Sequence, residues 1–461
     1  MTDIRGKHQT QRTSPAIISK PHSSRGITEV SPLRPLLDPL VQDLDHATRK
    51  YLSYFASDVC KDLVLYDTPE HNPLRQLVPL TQQNSILLQV VVANSALHMS
   101  NACQKSLVLD EWALPLRHRT NLLSCYNDAL RAKQRALSLL RSTLANITSA
   151  DIDVALAVVL LFIEFELIDS GRDNWRYHLD GARTIVETWC GTSISTQGLM
   201  SPLRSCLISN CLVFDILGSA LACSSGGLPG EVFSDGAVSL LLDAEGNHCS
   251  SFPTFLLQLI RAGAHLSRPD HSSSPLDSSS HSNRQQLLLL LSTAQSFNPL
   301  VWATRLQPHS PASDLLLRTH MASAHRAAVC IYLSRLLLSL CPAENLSHDL
   351  EVLVAETIMH LSVIRPSDEL FKASPWPAFI AGAETNDFAR QEWVARRFHE
   401  LWEVEPWGLV REALGVLQSI WSGRRSGVLV NNEGGALLEE INGDKDWIED
   451  LKAAGVNWLI V

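Results

Sequence analysis

From Leu37 onward the apolar positions of the chain recur every three or four residues, the spacing that lines one face of an α-helix, and few runs show the alternation of strands. Proline and glycine fall mostly between these periodic segments, so the pattern predicts an all-α fold, a large multi-helix bundle. Between Arg119 and Asn146, Leu123, Tyr126, Leu130, Leu137, Leu140 and Leu144 are spaced by three, four, seven, three and four residues. That spacing predicts the buried face of a helix about seven turns long. Lys133 interrupts this face, so its stem is expected on the core and its ammonium group in solvent. The next helix, Asp151 to Ser170, contains the unbroken apolar run VALAVVLLFI and belongs at the centre of the bundle. Glu164 and Glu166, two apart and off a common face, read there as helix-edge charges. Gly171 stands where a left-handed residue ends a helix, and Asp173 where the next helix needs a cap. Trp175, Leu179, Ala182, Ile185, Val186 and Trp189 would form the buried stripe of that following helix, which makes the pair a helical hairpin.

Further helices are expected over Gly198–Ser224, Pro253–Leu266, Ser313–Leu340 and Leu346–Ile364, with helical text resuming at Arg284 after a polar interval. That interval, 267–283, has eight serines in seventeen residues and reads as an exposed loop. Residues 1–36 have no hydrophobic period and carry Arg5, Lys7, Arg12, Lys20, Arg25 and Arg34 against Asp3 and Glu29, the composition of a disordered basic arm or linker. The expected division is therefore the arm at 1–36, a helical domain at 37–425, and an acidic C-terminal extension at 426–461.

Composition narrows the class. The chain has 461 residues, 45% of them hydrophobic and 19% charged, enough to bury a large core, and its net charge of −10 opposes a surface built mainly to coat nucleic acid. The first residues, MTDIRGKHQT, lack a signal-peptide core, and the Val154–Ile163 apolar run is too short to cross a bilayer, so an intracellular, soluble protein with no membrane partner is expected. None of the ten cysteines forms a pair separated by two residues, so all ten read as reduced and structural.

Candidate chemistry is sparse. The sequence has no adjacent Asp-Asp pair, no G-x-x-x-x-G-K phosphate loop and no G-x-S-x-G elbow, so no enzyme activity is expected and no catalytic, cofactor-binding, metal or DNA-binding residue is assigned. His265, His271 and His281 could share a metal only after ordering a flexible loop, and read as solvated side chains. His178 is expected as a hydrogen-bonded histidine within the hairpin. Five of the eleven tryptophans fall between Trp376 and Trp421, either as core residues or as the wall of a small-effector pocket.

Four passages in order carry a resemblance. They are YFASDVCKDLVLYDTPEHNPLRQLVP with ILLQVVVANSALHMS, then ALRAKQRALSLLRSTL with LLFIEFELIDSGRDNWRYHLDGARTIV, then AAVCIYLSRLLL, and finally WPAFIAGAE followed by Arg390, Trp393 and Leu417 to Trp421. Over about residues 40 to 425 the text resembles the fungal-specific transcription factor domain, the regulatory region of fungal binuclear zinc cluster regulators. The resemblance implies a nuclear transcription regulator that works through a helical domain on other transcription regulators or co-regulators, with a small-molecule effector, homo-oligomers and a metabolic or secondary-metabolite gene set as family expectations. The six-cysteine zinc cluster of such regulators has no counterpart here, because the first cysteine is Cys60, so DNA contact is expected to be indirect. No sustained heptad seam with flanking charges supports a coiled coil. A helical interaction scaffold and a metal-free helical enzyme remain the alternatives.

Overall fold

The structure, a computed structural model, describes residues 42–105, 116–143, 152–187, 200–222, 235–267, 278–342, 344, 346, 349–432 and 446–461. The arm at 1–36, the glycine-rich break SSGGLPGE, Trp189, His271 and most of the serine-rich interval lie outside them.

In chain order the helices are α1 (His46–Tyr54), α2 (Cys60–Asp62), α3 (Leu77–Leu80), α4 (Ser85–Lys105), α5 (Leu116–Thr143), α6 (Ile152–Asp169) and α7 (Trp175–Ile185). They continue as α8 (Pro202–Leu221), α9 (Asp235–Ala244), α10 (Thr254–Leu266), α11 (Ser278–Ser296), α12 (Pro299–Leu306) and α13 (Leu315–Leu340). The last are α14 (Leu350–Val363), α15 (Pro375–Glu384), α16 (Phe388–Val404), α17 (Gly408–Asn432) and α18 (Trp447–Ala453). The fold is all-α, and the extended contacts among the described residues are two isolated bridges, Val64 with His248 and Arg172 with Trp458.

Two helices form the spine of the unit spanning Leu44–Val461. Helix α6, buried from Ala155 to Ile168, packs against α4, α7, α8 and α17; helix α13 packs against α10, α11, α12, α14 and α15. The hydrophobic text of both has no polar face because neighbours surround them. Helices α4 and α8 are long and apolar enough to cross a membrane, yet most of their surface is buried inside the body, as in core helices. Local signals act where expected at several ends. Gly171 takes φ of +72° after α6, and Asp387 accepts from the Arg390 N–H at 2.8 Å to cap α16.

Several expectations change. In α5 the buried side is Cys125, Ala129, Ala132 and Ala136, packed along α4, while Leu123, Tyr126, Leu130 and Leu137 face outward. Small side chains let the two helix backbones approach closely, and that contact outweighs the larger leucine stripe. The Lys133 ammonium turns inward, 2.6 Å from the Glu166 carboxylate and 4.2 Å from the centre of the Phe165 ring. Glu164 and Glu166 are accordingly core residues, each 2% exposed, rather than edge charges. Asp173 does not cap α7. Asn174 holds the N-cap position, and the Asp173 carboxylate accepts from the Asn457 N–H at 2.8 Å. Helix α11 begins at Ser278, inside the serine-rich interval. Helix α17 crosses residue 425 without a break, and in the segment beyond it Trp447, Ile448, Leu451, Trp458, Leu459 and Ile460 are buried.

Candidate functional site

A groove of about 540 Å³ lies between one face of α17 and the C-terminal segment. Along α17, Glu412, Gly415, Val416, Ser419, Ile420 and Gly423 recur at three- and four-residue intervals and so share one face. The opposite wall is α18 and the tail after it, through Trp447, Asp450, Leu451, Ala454, Val456 and Trp458. A Cβ built on Gly415 or Gly423 meets nothing within 4 Å, so both glycines leave space that a side chain would fill.

The groove exists because the C-terminal segment is fastened at both ends. At α18, Trp447 Nε1 donates to Glu384 at 3.0 Å, and its ring meets Phe379 edge-on at 6.3 Å. Glu384 is held in turn by the buried Arg335, whose Nε donates to it at 2.7 Å. At the tail, the Asn457 carbonyl accepts from Asp173 N at 2.9 Å and from Trp175 Nε1 at 3.1 Å, and Leu459 N donates to the Gly171 carbonyl at 3.0 Å. Arg172 covers Trp458, 4.8 Å from the ring centre, and pairs with Glu412 across the groove rim. The α6–α7 turn, the C-terminal tail and α17 thus meet at one place. Gly408 opens α17 there, where a Cβ would lie 1.8 Å from the Asp169 carbonyl oxygen.

The interior holds unusual titrating groups. Glu164 Oε2 is buried without a hydrogen-bond partner, and burial pushes its carboxyl up to about 8. Glu166 runs the other way, held low against the effect of its burial by His178 and Lys133. His178 also stacks on Phe162 at 4.9 Å, which places it as the hydrogen-bonded hairpin histidine the sequence implies. Burial pulls His248 down to about 4 and His325 down to about 3. These groups lie in packed core and lack the convergent geometry of an acid, a base and a reacting position.

The sequence candidates distribute plainly. His265 and His281 are exposed, and no cluster of three or more metal-capable side chains occurs among the described residues. Trp376, Trp402, Trp407 and Trp421 are buried core residues, Trp421 Nε1 donating to the Gly382 carbonyl at 2.8 Å. The tryptophans at the groove are instead Trp447 and Trp458, within the stretch set apart by its acidic composition. The readable signal was the pair of glycines eight residues apart on one face of a helix, together with the apolar text WLIV at the very end.

Comparison with known proteins follows the same line. The chain matches the family described as "Fungal specific transcription factor domain" over residues 50–458. It is 32% identical over 437 residues to the acriflavine sensitivity control protein acr-2 of Neurospora crassa, a match covering 93% of this chain and 69% of the relative. No solved structure matches. A family match that spans the helical body, from α1 to the bridge at Trp458, assigns its class as a regulator of transcription rather than an enzyme: the chain belongs to the fungal-specific transcription factor domain family.

Proposed function

We propose that this chain is a nuclear transcription regulator whose helical body takes a small, largely apolar effector in the α17 groove. Its state passes to other transcription regulators or co-regulators, and DNA is reached through them. Its gene set is metabolic or secondary-metabolite. The name of the Neurospora crassa relative, which ties that protein to control of acriflavine sensitivity, supports a set that answers to small compounds. The observation that carries the reading is the groove itself. Its 540 Å³ falls within the roughly 300–1,000 Å³ of small-molecule sites, and its floor carries two bare glycines on a helix that has no structural need of them.

The test is to fill the groove. Leucine at both positions, Gly415→Leu with Gly423→Leu, points into empty space and removes two poor helix formers, each worth about 1 kcal/mol. The melting temperature is expected to hold or rise. In a deletion strain complemented with this variant, transcripts that respond to added small compounds under the wild-type chain are expected to stop responding. A variant that restores the full wild-type response sinks the effector reading.

A further inference from the structure

A further cavity, of about 230 Å³, lies among segment 63–73, α8 and the end of α9, and it shares no lining residue with the α17 groove. Asn247 sets the spacing of its walls. Its side-chain oxygen accepts from Tyr66 N at 2.7 Å, its amide nitrogen donates to the His71 carbonyl at 2.7 Å, and beside it Val64 bridges to His248. Two of the lining residues are buried, polar and incompletely paired. His248 is 6% exposed and Asn210 3%, and neither His248 Nε2 nor Asn210 Oδ1 has a hydrogen-bond partner. What each side chain does with its other polar atom settles the role of the unpaired one. Ser250 N–H donates to His248 Nδ1 at 3.1 Å, so Nδ1 is the acceptor of the ring, and the neutral imidazole carries its proton on Nε2. Asn210 Nδ2 donates to the Cys206 carbonyl at 2.8 Å, which leaves Oδ1 as the acceptor without a donor. The neighbouring Ser209 hydroxyl, also part of the lining, gives its proton to the same carbonyl at 3.0 Å and keeps only lone pairs. The wall thus offers one fixed N–H donor and two acceptors.

We infer that this cavity binds a small neutral carboxamide, its carbonyl oxygen accepting from His248 Nε2 and its N–H groups donating to Asn210 Oδ1 and Ser209 Oγ. The complement is specific because a buried donor or acceptor left without a partner costs far more than a made bond gains. An ester satisfies His248 and leaves both acceptors bare. A carboxylate brings a charge against those lone pairs, with the exposed Asp243 carboxylate also in the lining. An ammonium has nothing to accept the Nε2 proton. The size agrees with a single ring bearing one polar group, since an apolar cavity of about 150 Å³ already holds benzene. Occupancy would join segment 63–73 to α8 through the ligand. The cavity and the α17 groove are separate places, so this inference stands or falls independently of the effector reading above.

The experiment titrates the full chain calorimetrically with benzamide, methyl benzoate, benzoate and benzylamine, four probes that share one ring and differ in the polar group. Saturable binding of benzamide to one site is expected, with each of the other three at least tenfold weaker. Asn210→Leu, which removes the acceptor, is expected to weaken benzamide at least tenfold, and Ser205→Trp, which adds bulk at a partly exposed lining position, to abolish its binding. Gly415→Leu with Gly423→Leu should bind benzamide as the wild-type chain does. Melting temperatures serve as the fold control, and if either cavity variant fails to fold, the probe series on the wild-type chain decides alone. The inference is overturned by the absence of saturable benzamide binding or by methyl benzoate or benzoate binding equally well, which would mean that ring volume alone is recognised. It is also overturned by loss of benzamide binding in the groove-filled variant, which would place the probe in the α17 groove, or by a benzamide-soaked crystal whose cavity holds only water.

Discussion

At the scale of single residues, Glu164 shows how a core position can set the pH response of the whole fold. Its carboxyl is raised from 4.5 to about 8 by burial, with Cys206 and Cys211 of α8, Cys249 and Glu405 near it and none of them a cation. The folded chain keeps the Glu164 proton through a range in which the unfolded chain has lost it. The contribution of Glu164 to stability therefore falls as pH rises from 4.5 to about 8 and levels off above, with a slope of about 1.4 kcal/mol per pH unit. On the acid side the signs reverse. His248 and His325 stay neutral in the fold down to about 4 and about 3, so stability falls as pH drops below 6.5, where their unfolded forms take up protons. The chain should be most stable in mildly acid solution. Glu164→Gln, which cannot ionise, should flatten the limb above pH 6.5 and steepen the rise between 4.5 and 6.5, where Glu164 opposes the two histidines; urea unfolding midpoints across the two limbs measure both. An alkaline slope that survives the substitution intact would assign it to other groups, with Glu405 the next to test.

At the scale of elements, the contrast between α6 and α5 shows how much of the fold was legible in the sequence. An element surrounded on all sides must be apolar all round, so VALAVVLLFI placed α6 at the centre correctly. An amphipathic helix offers two faces, and periodicity reports that faces exist without saying which neighbour each one meets. In α5 the leucines gave the stronger pattern, yet the alanines made the contact, because close approach to α4 depends on what is small. The groove was hidden for a related reason. Composition set the segment after 425 apart as acidic, while apolar residues within it, among them Trp447, Leu451, Trp458 and Leu459, bind it to the body. That attachment can be tested at Glu384, which joins Arg335 of α13 to Trp447 of α18. Glu384→Ala removes this counter-charge from an arginine that is 4% exposed and should cost about 3–5 kcal/mol. Trp447→Phe removes the indole N–H bond, at about 1 kcal/mol, and part of a buried ring while keeping an aromatic anchor and the Arg335–Glu384 pair. Hydrogen exchange over residues 446–461 should accelerate strongly in the first variant and little in the second. Equal protection in both would mean that the tail contacts at Asn457 and Leu459 hold the segment without α18.

At the scale of the whole molecule, the distribution of charge matters more than its sum. The field of a net charge of −10 is largely screened beyond a Debye length, about 8 Å at physiological salt, so at close range a phosphate backbone meets the local surface, and a basic one such as α5 can attract it. The two scales make a joint prediction about duplex DNA. At low salt the purified chain should show weak, sequence-independent binding through α5. Among the described side chains of α5, Arg131, Arg135 and Arg141 are the exposed cations, so the number of phosphates these engage is about three and their salt slope is shallow, near −0.9 for each. Moving from low to physiological salt should then abolish retardation in a gel shift, and reversing Arg135 and Arg141 should abolish it at low salt as well. Tight, sequence-selective retardation at physiological salt would require a groove-reading element presented to bases, which neither the exposed leucines nor the spacing of these arginines supplies. That outcome would overturn indirect DNA contact for this chain while leaving its family membership untouched.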